Sequence, residues 1–160
     1  MQDEPVRVRA VLDAHVEAAA EAELVDAVGM PRGGVGPLPE TNALAVDAAA
    51  GLLYSASGDG NAYAWDLKTH SRVRAYEGHT DLLHCLALCP QRRQLFSGSE
   101  DGRVLAWRLV EGAVAITLRA HKRAVCSLAC HPTESCVLAA SHDGTVSVWD
   151  RSEAPQTAAD

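Results

Sequence analysis

The feature that most constrains this chain is a repeat of 42 residues. Three stretches of one pattern, SGDGNAYAWD, SEDGRVLAWR and SHDGTVSVWD, place Trp65, Trp107 and Trp149 at that interval. The Asp-Gly pair inside each stretch keeps the same interval without a gap. A fixed period between 20 and 50 residues indicates units that bury their cores against one another. We therefore expect one architecture that is repeated three times.

Each unit has the pattern of short strands joined by turns. The middle unit contains four apolar runs, separated by Cys-Pro, Asp-Gly and Glu-Gly, at residues 82–88, 94–99, 103–109 and 113–118. Such runs bounded by Gly and Pro predict four antiparallel strands. The Asp-Gly pairs predict two-residue hairpin turns in which both central residues have positive φ. Helix should be nearly absent from residues 41–150.

A Gly-His pair opens the middle unit and Trp-Asp closes the first and third, at a spacing typical of a propeller blade. Over about residues 36–150 the chain resembles the WD40 family. The resemblance implies an all-β fold, a partial WD40 β-propeller of three four-stranded antiparallel blades with the last one incomplete. The blades are expected at about 41–77, 78–119 and 120–150. Because closed propellers need about four to eight blades, the open blade edges should pair with missing blades or another chain.

The resemblance also implies a polar network that holds each blade together. In the middle blade its members are His79, Ser97, Asp101 and Trp107. Such a network satisfies groups whose unpaired burial costs about 1 to 3 kcal/mol each. The expected role of these residues is structural rather than catalytic.

The other two blades each lack one member of this network. The first has Ser55, Asp59 and Trp65, but Pro37 stands where the histidine belongs. The third has His121, Asp143 and Trp149, but Ala139 stands where the serine belongs. We therefore expect these two blades to be less firmly held.

The net charge of −7 is concentrated at the beginning of the chain. Residues 1–30 carry seven acidic residues and two arginines, whereas residues 41–150 carry eleven acidic residues and ten Lys and Arg. A nearly neutral body offers no footprint for phosphate backbones, so we expect no direct nucleic-acid binding.

The segments outside the repeats have distinct expected roles. We predict an acidic N-terminal segment at 1–28, helical over 11–28, although 5–11 could instead form an outer strand. A Gly/Pro linker should follow at 29–40, and a disordered tail at 151–160. No apolar run is long enough for a membrane span, so no membrane association is expected.

Five cysteines, an odd number, predict free thiols in a reducing compartment. A zinc site is the alternative, from His84, Cys85, Cys89, Cys126, Cys130 and His131. However, Cys85 aligns with Ser127 and Cys89 with His131, so the two Cys-x3-Cys pairs occupy different blade positions. No GxxxxGK[ST] loop is present, and the repeat accounts for the histidines. We expect no catalytic residue, metal or cofactor.

The resemblance implies a non-catalytic protein–protein interaction scaffold in a multisubunit complex. Residues 39–107 more narrowly resemble the middle blades of a WD40 subunit of the nuclear assembly that couples transcription to mRNA packaging and export. Nuclear localisation is therefore expected, with the cytoplasm as the alternative. The alternative function is a generic WD40 adaptor, such as a ubiquitin-ligase substrate receptor or a signalling scaffold. Partner-binding candidates are Thr80, Asp81, Leu82, Lys122 and Arg123.

Overall fold

The structure is a computed structural model that describes residues 39–119, 121–131 and 136–150. The predicted acidic helix, its alternative strand, nearly all of the linker and the tail lie outside these residues. Eleven strands are described, as follows: β1 (Thr41–Asp47), β2 (Leu52–Ser57), β3 (Asn61–Asp66), β4 (Arg72–Glu77), β5 (Leu83–Cys89), β6 (Gln94–Ser99), β7 (Arg103–Arg108), β8 (Val114–Arg119), β9 (Val125–Cys130), β10 (Cys136–Ser141) and β11 (Val146–Asp150). Between β5 and β6 lies a 3-10 turn, Pro90–Arg92.

The strands form three antiparallel sheets in which consecutive strands are neighbours. The first sheet has the order β1-β2-β3-β4, the second β5-β6-β7-β8 and the third β9-β10-β11. The prediction of an all-β chain with three antiparallel blades, the last incomplete, is confirmed. In the part of the chain that the structure describes, no helix has the length and apolar character needed to cross a membrane.

Two apolar cores lie between the sheets. Tyr54, Tyr76 and Trp107 belong to the core between the first and second sheets. Phe96 and Val137 belong to the core between the second and third. The middle sheet is therefore covered on both faces, and all six residues of β6 are buried. Burial of this kind is the main driving force that holds the blades side by side.

The outer sheets each leave one face uncovered. On β1 of the first sheet, Leu44 and Val46 are 61% and 56% exposed. On β11 of the third sheet, Val146 and Val148 are 67% and 63% exposed. The middle blade has no comparable pair on its inner three strands, because it has a neighbour on each side.

The prediction of two-residue turns at the Asp-Gly pairs is wrong. The connection has three residues in the first two blades and four in the third, and in each only the glycine of the Asp-Gly pair has positive φ, with values of 87°, 75° and 85° at Gly60, Gly102 and Gly144. In the middle blade the Gly102 N–H donates to the Ser99 carbonyl at 3.2 Å. The Asp101 Oδ1 atom accepts from the Arg103 N–H at 2.9 Å. Asp101 has negative φ, whereas a two-residue turn of this type would need positive φ there. Its carboxylate contacts His79 in a neighbouring loop.

The three Asp-Gly loops lie at the same end of the blades, which we call the upper end. The loop that carries His79 also lies there, since it joins β4 to β5. The opposite, lower end holds the turn after β1, which follows Asp47, and the turn after β7. The two ends present different groups, and both matter below.

Candidate functional site

The polar network predicted for the middle blade is assembled in the structure. The Trp107 Nε1–H donates to Ser97 Oγ at 2.7 Å, and that oxygen lies 2.8 Å from His79 Nε2. The other ring nitrogen, His79 Nδ1, lies 2.9 Å from Asp101 Oδ2. Trp107, Ser97 and the His79 side chain are fully buried. The four side chains form one continuous hydrogen-bonded path from the upper end into the core.

When His79 is neutral, each N–H and O–H group of this path donates a hydrogen bond to the next member. Ser97 then accepts from the indole and donates to Nε2, while Nδ1–H donates to Asp101. Burial lowers the pKa of His79, and this outweighs the opposite effect of the Asp101 carboxylate. Burial alone would raise the pKa of Asp101, but hydrogen bonds from Arg103, His79 and the Thr80 N–H hold it well below its usual range. A neutral imidazole therefore faces an ionised carboxylate.

The third blade obtains its hydroxyl from a residue that the repeat alignment did not indicate. The Trp149 Nε1–H donates to Ser147 Oγ at 2.9 Å, and the same oxygen lies 2.7 Å from His121 Nε2. His121 Nδ1 lies 3.2 Å from Asp143 Oδ2. Ser147 is on β11, whereas Ala139 occupies the aligned position on β10. The signal available in the sequence was a serine two residues before the tryptophan, where its side chain shares a strand face with the indole.

The first blade replaces the missing histidine with a tyrosine. The Trp65 Nε1–H donates to Ser55 Oγ at 2.9 Å. The Tyr63 hydroxyl donates to Asp59 Oδ2 at 2.6 Å. Burial and this carboxylate raise the pKa of Tyr63, and the Arg72 guanidinium lies 5.1 Å from its ring centre. Tyr63 holds the aspartate as the histidine does elsewhere.

Tyr63 and Ser147 occupy the same position of the repeat, 84 residues apart, and Leu105 lies midway between them. In the middle blade, whose network is complete, this position is apolar and Leu105 is buried. In the blades that lack one member, this position carries a hydroxyl group, which contacts Asp59 in place of the histidine in the first blade and contacts Trp149 and His121 in place of the serine in the third. Sequence reasoning missed this because it compared each position with its family counterpart and not with its neighbours on the strand.

The network also anchors the loops that carry the partner-binding candidates. The Thr80 N–H donates to Asp101 Oδ2 at 3.1 Å, and the Lys122 N–H donates to Asp143 Oδ2 at 3.0 Å. The side chains of these five candidates are all exposed, namely Thr80, Asp81, Leu82, Lys122 and Arg123. A Cβ built on Gly102 would lie 2.8 Å from the His121 carbonyl oxygen. The second and third blades therefore bring their upper loops into direct contact.

The thiols lie in the sheets and are mostly shielded. Cys85 and Cys89 are buried, Cys130 and Cys136 are half-buried, and Cys126 is exposed. Burial raises the pKa of Cys85 to about 12 and that of Cys130 to about 11. Such thiols stay protonated near neutral pH, whereas metal ligation and nucleophilic attack need the thiolate. Among the described residues, no three His, Cys, Asp or Glu side chains come together as a metal site would require.

Comparison with protein families finds the family described as "WD40: WD domain, G-beta repeat" at residues 70–108 and 112–150. Each match begins near the fourth strand of one sheet and includes the first three strands of the next. A sequence repeat is therefore shared between two blades. The predicted WD40 resemblance is confirmed.

Individual relatives match a shorter part of the chain. THO complex subunit 6 of Arabidopsis thaliana is 41% identical over 54 residues, 34% of this chain and 15% of that protein. Its Mus musculus homolog is 45% identical over 51 residues, 32% of this chain and 15% of that protein. Transducin-like enhancer protein 2 of Mus musculus is 42% identical over 48 residues, 30% of this chain and 6% of that protein. The matched segment is thus a small part of each relative.

Solved structures share the fold at low identity. The structure of U3-55K aligns with a TM-score of 0.68 and 22% identity, over 74% of this chain and 38% of that one. The crystal structure of a mitotic checkpoint complex aligns with a TM-score of 0.67 and 22% identity, over 72% of this chain and 35% of that one. At this identity the likeness concerns the fold alone.

Proposed function

Because the chain carries WD40 repeats folded as adjoining propeller blades, we propose that it is a non-catalytic protein–protein interaction scaffold. Its partners are other proteins of a multisubunit nuclear assembly that acts in mRNA processing and export. The observation that supports this is the 41% to 45% identity to THO complex subunit 6 from Arabidopsis thaliana and Mus musculus. The proposed assembly is taken from the name of those relatives, and the blades provide the surfaces that would bind its other proteins.

The upper end offers a surface that is fixed before a partner arrives. Asp101 and Asp143 hold both the network histidines and the backbone of the loops that follow them. A loop that is already ordered loses less conformational entropy when it binds. The exposed side chains on these loops therefore bind at a lower entropic cost.

The charges on this surface favour a partner that carries both acidic and basic side chains. Asp81 carries a carboxylate on the loop of the middle blade, and Lys122 and Arg123 carry cations on the adjoining loop. Leu82, 39% exposed, adds an apolar contact between them along the chain. An interface of this kind gains specificity from complementary charges and affinity from the apolar group.

The uncovered faces of the outer blades are covered by further blades in the working assembly, either of a longer polypeptide or of another chain. The exposed pairs Leu44 and Val46, and Val146 and Val148, support this. Side chains of this type on strands tend to attract a further strand or sheet.

A generic WD40 adaptor, such as a ubiquitin-ligase substrate receptor or a signalling scaffold, is the second candidate. The 42% identity to Transducin-like enhancer protein 2 favours keeping it, since this value lies between the 41% and 45% of the other relatives. The two candidates share the binding surface and differ in the proteins bound.

Affinity purification of the tagged chain from cells, with mass spectrometry of the bound proteins, tests the proposal. We expect recovery of THO subunits and a nuclear signal for the tagged chain by microscopy. Recovery of cullin adaptors or signalling proteins without THO subunits would favour the second candidate. Turnover of a substrate by the purified chain would overturn both.

Paired variants tell the upper surface from the rest of the molecule. The Asp81→Arg and Lys122→Glu substitutions reverse charges on the proposed surface, and Lys68→Glu reverses an exposed charge at the lower end, after β3. We expect the first two to lose most of the recovered partner and Lys68→Glu to keep it. Equal recovery by all three would contradict the assignment of this surface.

A further inference from the structure

We propose that a groove at the lower end of the first two blades binds the chain's own acidic segment, residues 10–28. The groove has a volume of about 320 Å3. It lies between the two blades, at the end opposite to the proposed partner surface. This inference does not depend on the proposed function.

The interior of the groove is aromatic and apolar. Tyr54 and Tyr76 form its floor, where each is only 1% exposed, with ring centres 6.2 Å apart, and Leu109 lies beside them. The Tyr76 hydroxyl donates to the Leu109 carbonyl at 3.0 Å, so this wall is fixed by a contact between the blades. Two exposed valines, Val73 and Val110, also line the groove. Apolar side chains of a peptide can therefore be buried here.

Two arginines flank this apolar surface. Arg74 and Arg93 both line the groove and are exposed. The Arg74 guanidinium reaches across the blades and donates to the Glu111 carbonyl at 3.3 Å. Asp47 is the carboxylate that lines the groove, and it accepts from the Ala50 N–H at 3.0 Å. The lining thus favours an occupant that combines apolar side chains with carboxylates.

The wider charge distribution of these two blades favours the same occupant. At the lower end, three acidic residues (Asp47, Asp66 and Glu111) face six cationic ones, which are Lys68, Arg72, Arg74, Arg92, Arg93 and Arg108. At the upper end, two cationic residues (Arg103 and Arg119) face five acidic ones, which are Asp59, Glu77, Asp81, Glu100 and Asp101. The blades are neutral as a pair but polarised along their length. An acidic segment is drawn to the lower end and repelled from the upper one.

Residues 10–28 have the chemistry that this groove requires. The segment contains five acidic residues and no Lys or Arg, interspersed with valines and leucines, and its acidic residues are Asp13, Glu17, Glu21, Glu23 and Asp26. Carboxylates beside apolar side chains match arginines beside an apolar groove. No other stretch of this length in the sequence combines five acidic residues with an absence of cations.

The length of chain between the segment and the blades suits this contact. Residues 29–40 lead from the segment to Thr41, at the upper end of β1. A chain of twelve residues reaches at most about 40 Å when it is fully extended. A strand of seven residues, the length of β1, spans about 23 Å. The segment can therefore reach the lower end, and the tether gives it a local concentration in the millimolar range.

Carbodiimide cross-linking of the purified full chain tests this contact, because it joins a carboxylate to an amine at contact distance. The two lysines of the chain, Lys68 and Lys122, lie at the lower and upper ends. The Arg93→Lys variant places a further amine at the groove and keeps the charge. The Arg119→Lys variant is its matched control at the upper end.

We expect Arg93→Lys to form intramolecular cross-links from position 93 to acidic residues of 10–28, about tenfold more than Arg119→Lys forms from position 119. High salt should reduce the yield, since the attraction is partly electrostatic. Equal yields at the two positions would overturn the proposal. So would cross-links found only in dimers, because they would make a second copy the occupant. The purified chain contains no partner, so this outcome is separate from that of the partner experiments.

Discussion

Each tryptophan of the repeat finds a serine hydroxyl, but not always the same serine. Ser55 and Ser97 supply it from the second strand of their blades, whereas Ser147 supplies it from the third. In the middle blade the structure brings together the four residues that the repeat grouped. The comparison of repeats missed Ser147 and Tyr63, because their roles depend on which side chains share a strand face, a signal that lies in the alternation along one strand. The expectation that the outer blades simply lack a member was therefore incomplete.

Substitution at Ser147 tests this exchange of roles. Ser147→Ala removes the hydroxyl that contacts both Trp149 and His121, so it should lower the free energy of unfolding by about 1 kcal/mol. The loss should be modest because this site is half-buried. Adding Ala139→Ser restores a hydroxyl at the family position and should recover most of it. Urea unfolding of both variants measures the effect, and a double variant no more stable than Ser147→Ala would refute the exchange.

The pH dependence of the middle blade follows from its neutral histidine. Burial lowers the native pKa of His79, whereas the unfolded residue titrates near 6.5. The unfolded state therefore binds more protons below about pH 6.5, and stability should fall as the pH drops through this range. The depressed pKa of Asp101 extends the loss below about pH 4.

Two measurements check this expectation. A titration of the His79 ring protons by NMR should give a midpoint below 6.5, and the urea midpoint should fall on acidification from pH 7 to pH 5. A ring that titrates above 6.5 would mean that the carboxylate outweighs burial.

At the scale of elements, the strands were predictable and the turns between them were not. The predicted runs 82–88, 94–99, 103–109 and 113–118 differ from β5 to β8 by at most one residue at either end. Alternation and punctuation by Gly and Pro are local signals, so they can be seen in the sequence. The length of the turn between β6 and β7 depends on the direction that the Asp101 carboxylate must take to reach its hydrogen-bond partner. That requirement comes from His79, in another loop.

Two matched glycines separate backbone strain from packing in these turns. Gly144 has φ of 85° and nothing within 4 Å of a built Cβ, whereas Gly102 has φ of 75° and the His121 carbonyl oxygen at 2.8 Å. Gly144→Ala should therefore lower the free energy of unfolding only because alanine disfavours a left-handed backbone, by about 1 to 2 kcal/mol. Gly102→Ala should cost more, because the alanine also pushes the second and third blades apart. Equal unfolding midpoints for the two variants would show that the upper loops are not in contact.

At the scale of the whole molecule, the blades stabilise one another through the two cores, and the middle one has a neighbour on both sides. This follows from the repeat, since units that stack bury a continuous core. The number of blades and the presence of a fourth strand in the first two could be predicted from the 42-residue interval. The lower groove could not, because it forms from side chains of two blades whose contact the sequence does not specify.

One tryptophan per blade gives the most direct test of the claim that all three repeats fold as blades, each held by a hydrogen bond from its tryptophan to a serine. We predict that hydrogen exchange followed by NMR will show three protected indole N–H groups. Trp107 should exchange slowest because it is fully buried, Trp65 next and the half-buried Trp149 fastest, yet still slower than a free indole. An indole in any of the three repeats that exchanges at the rate of the unfolded chain would contradict the account.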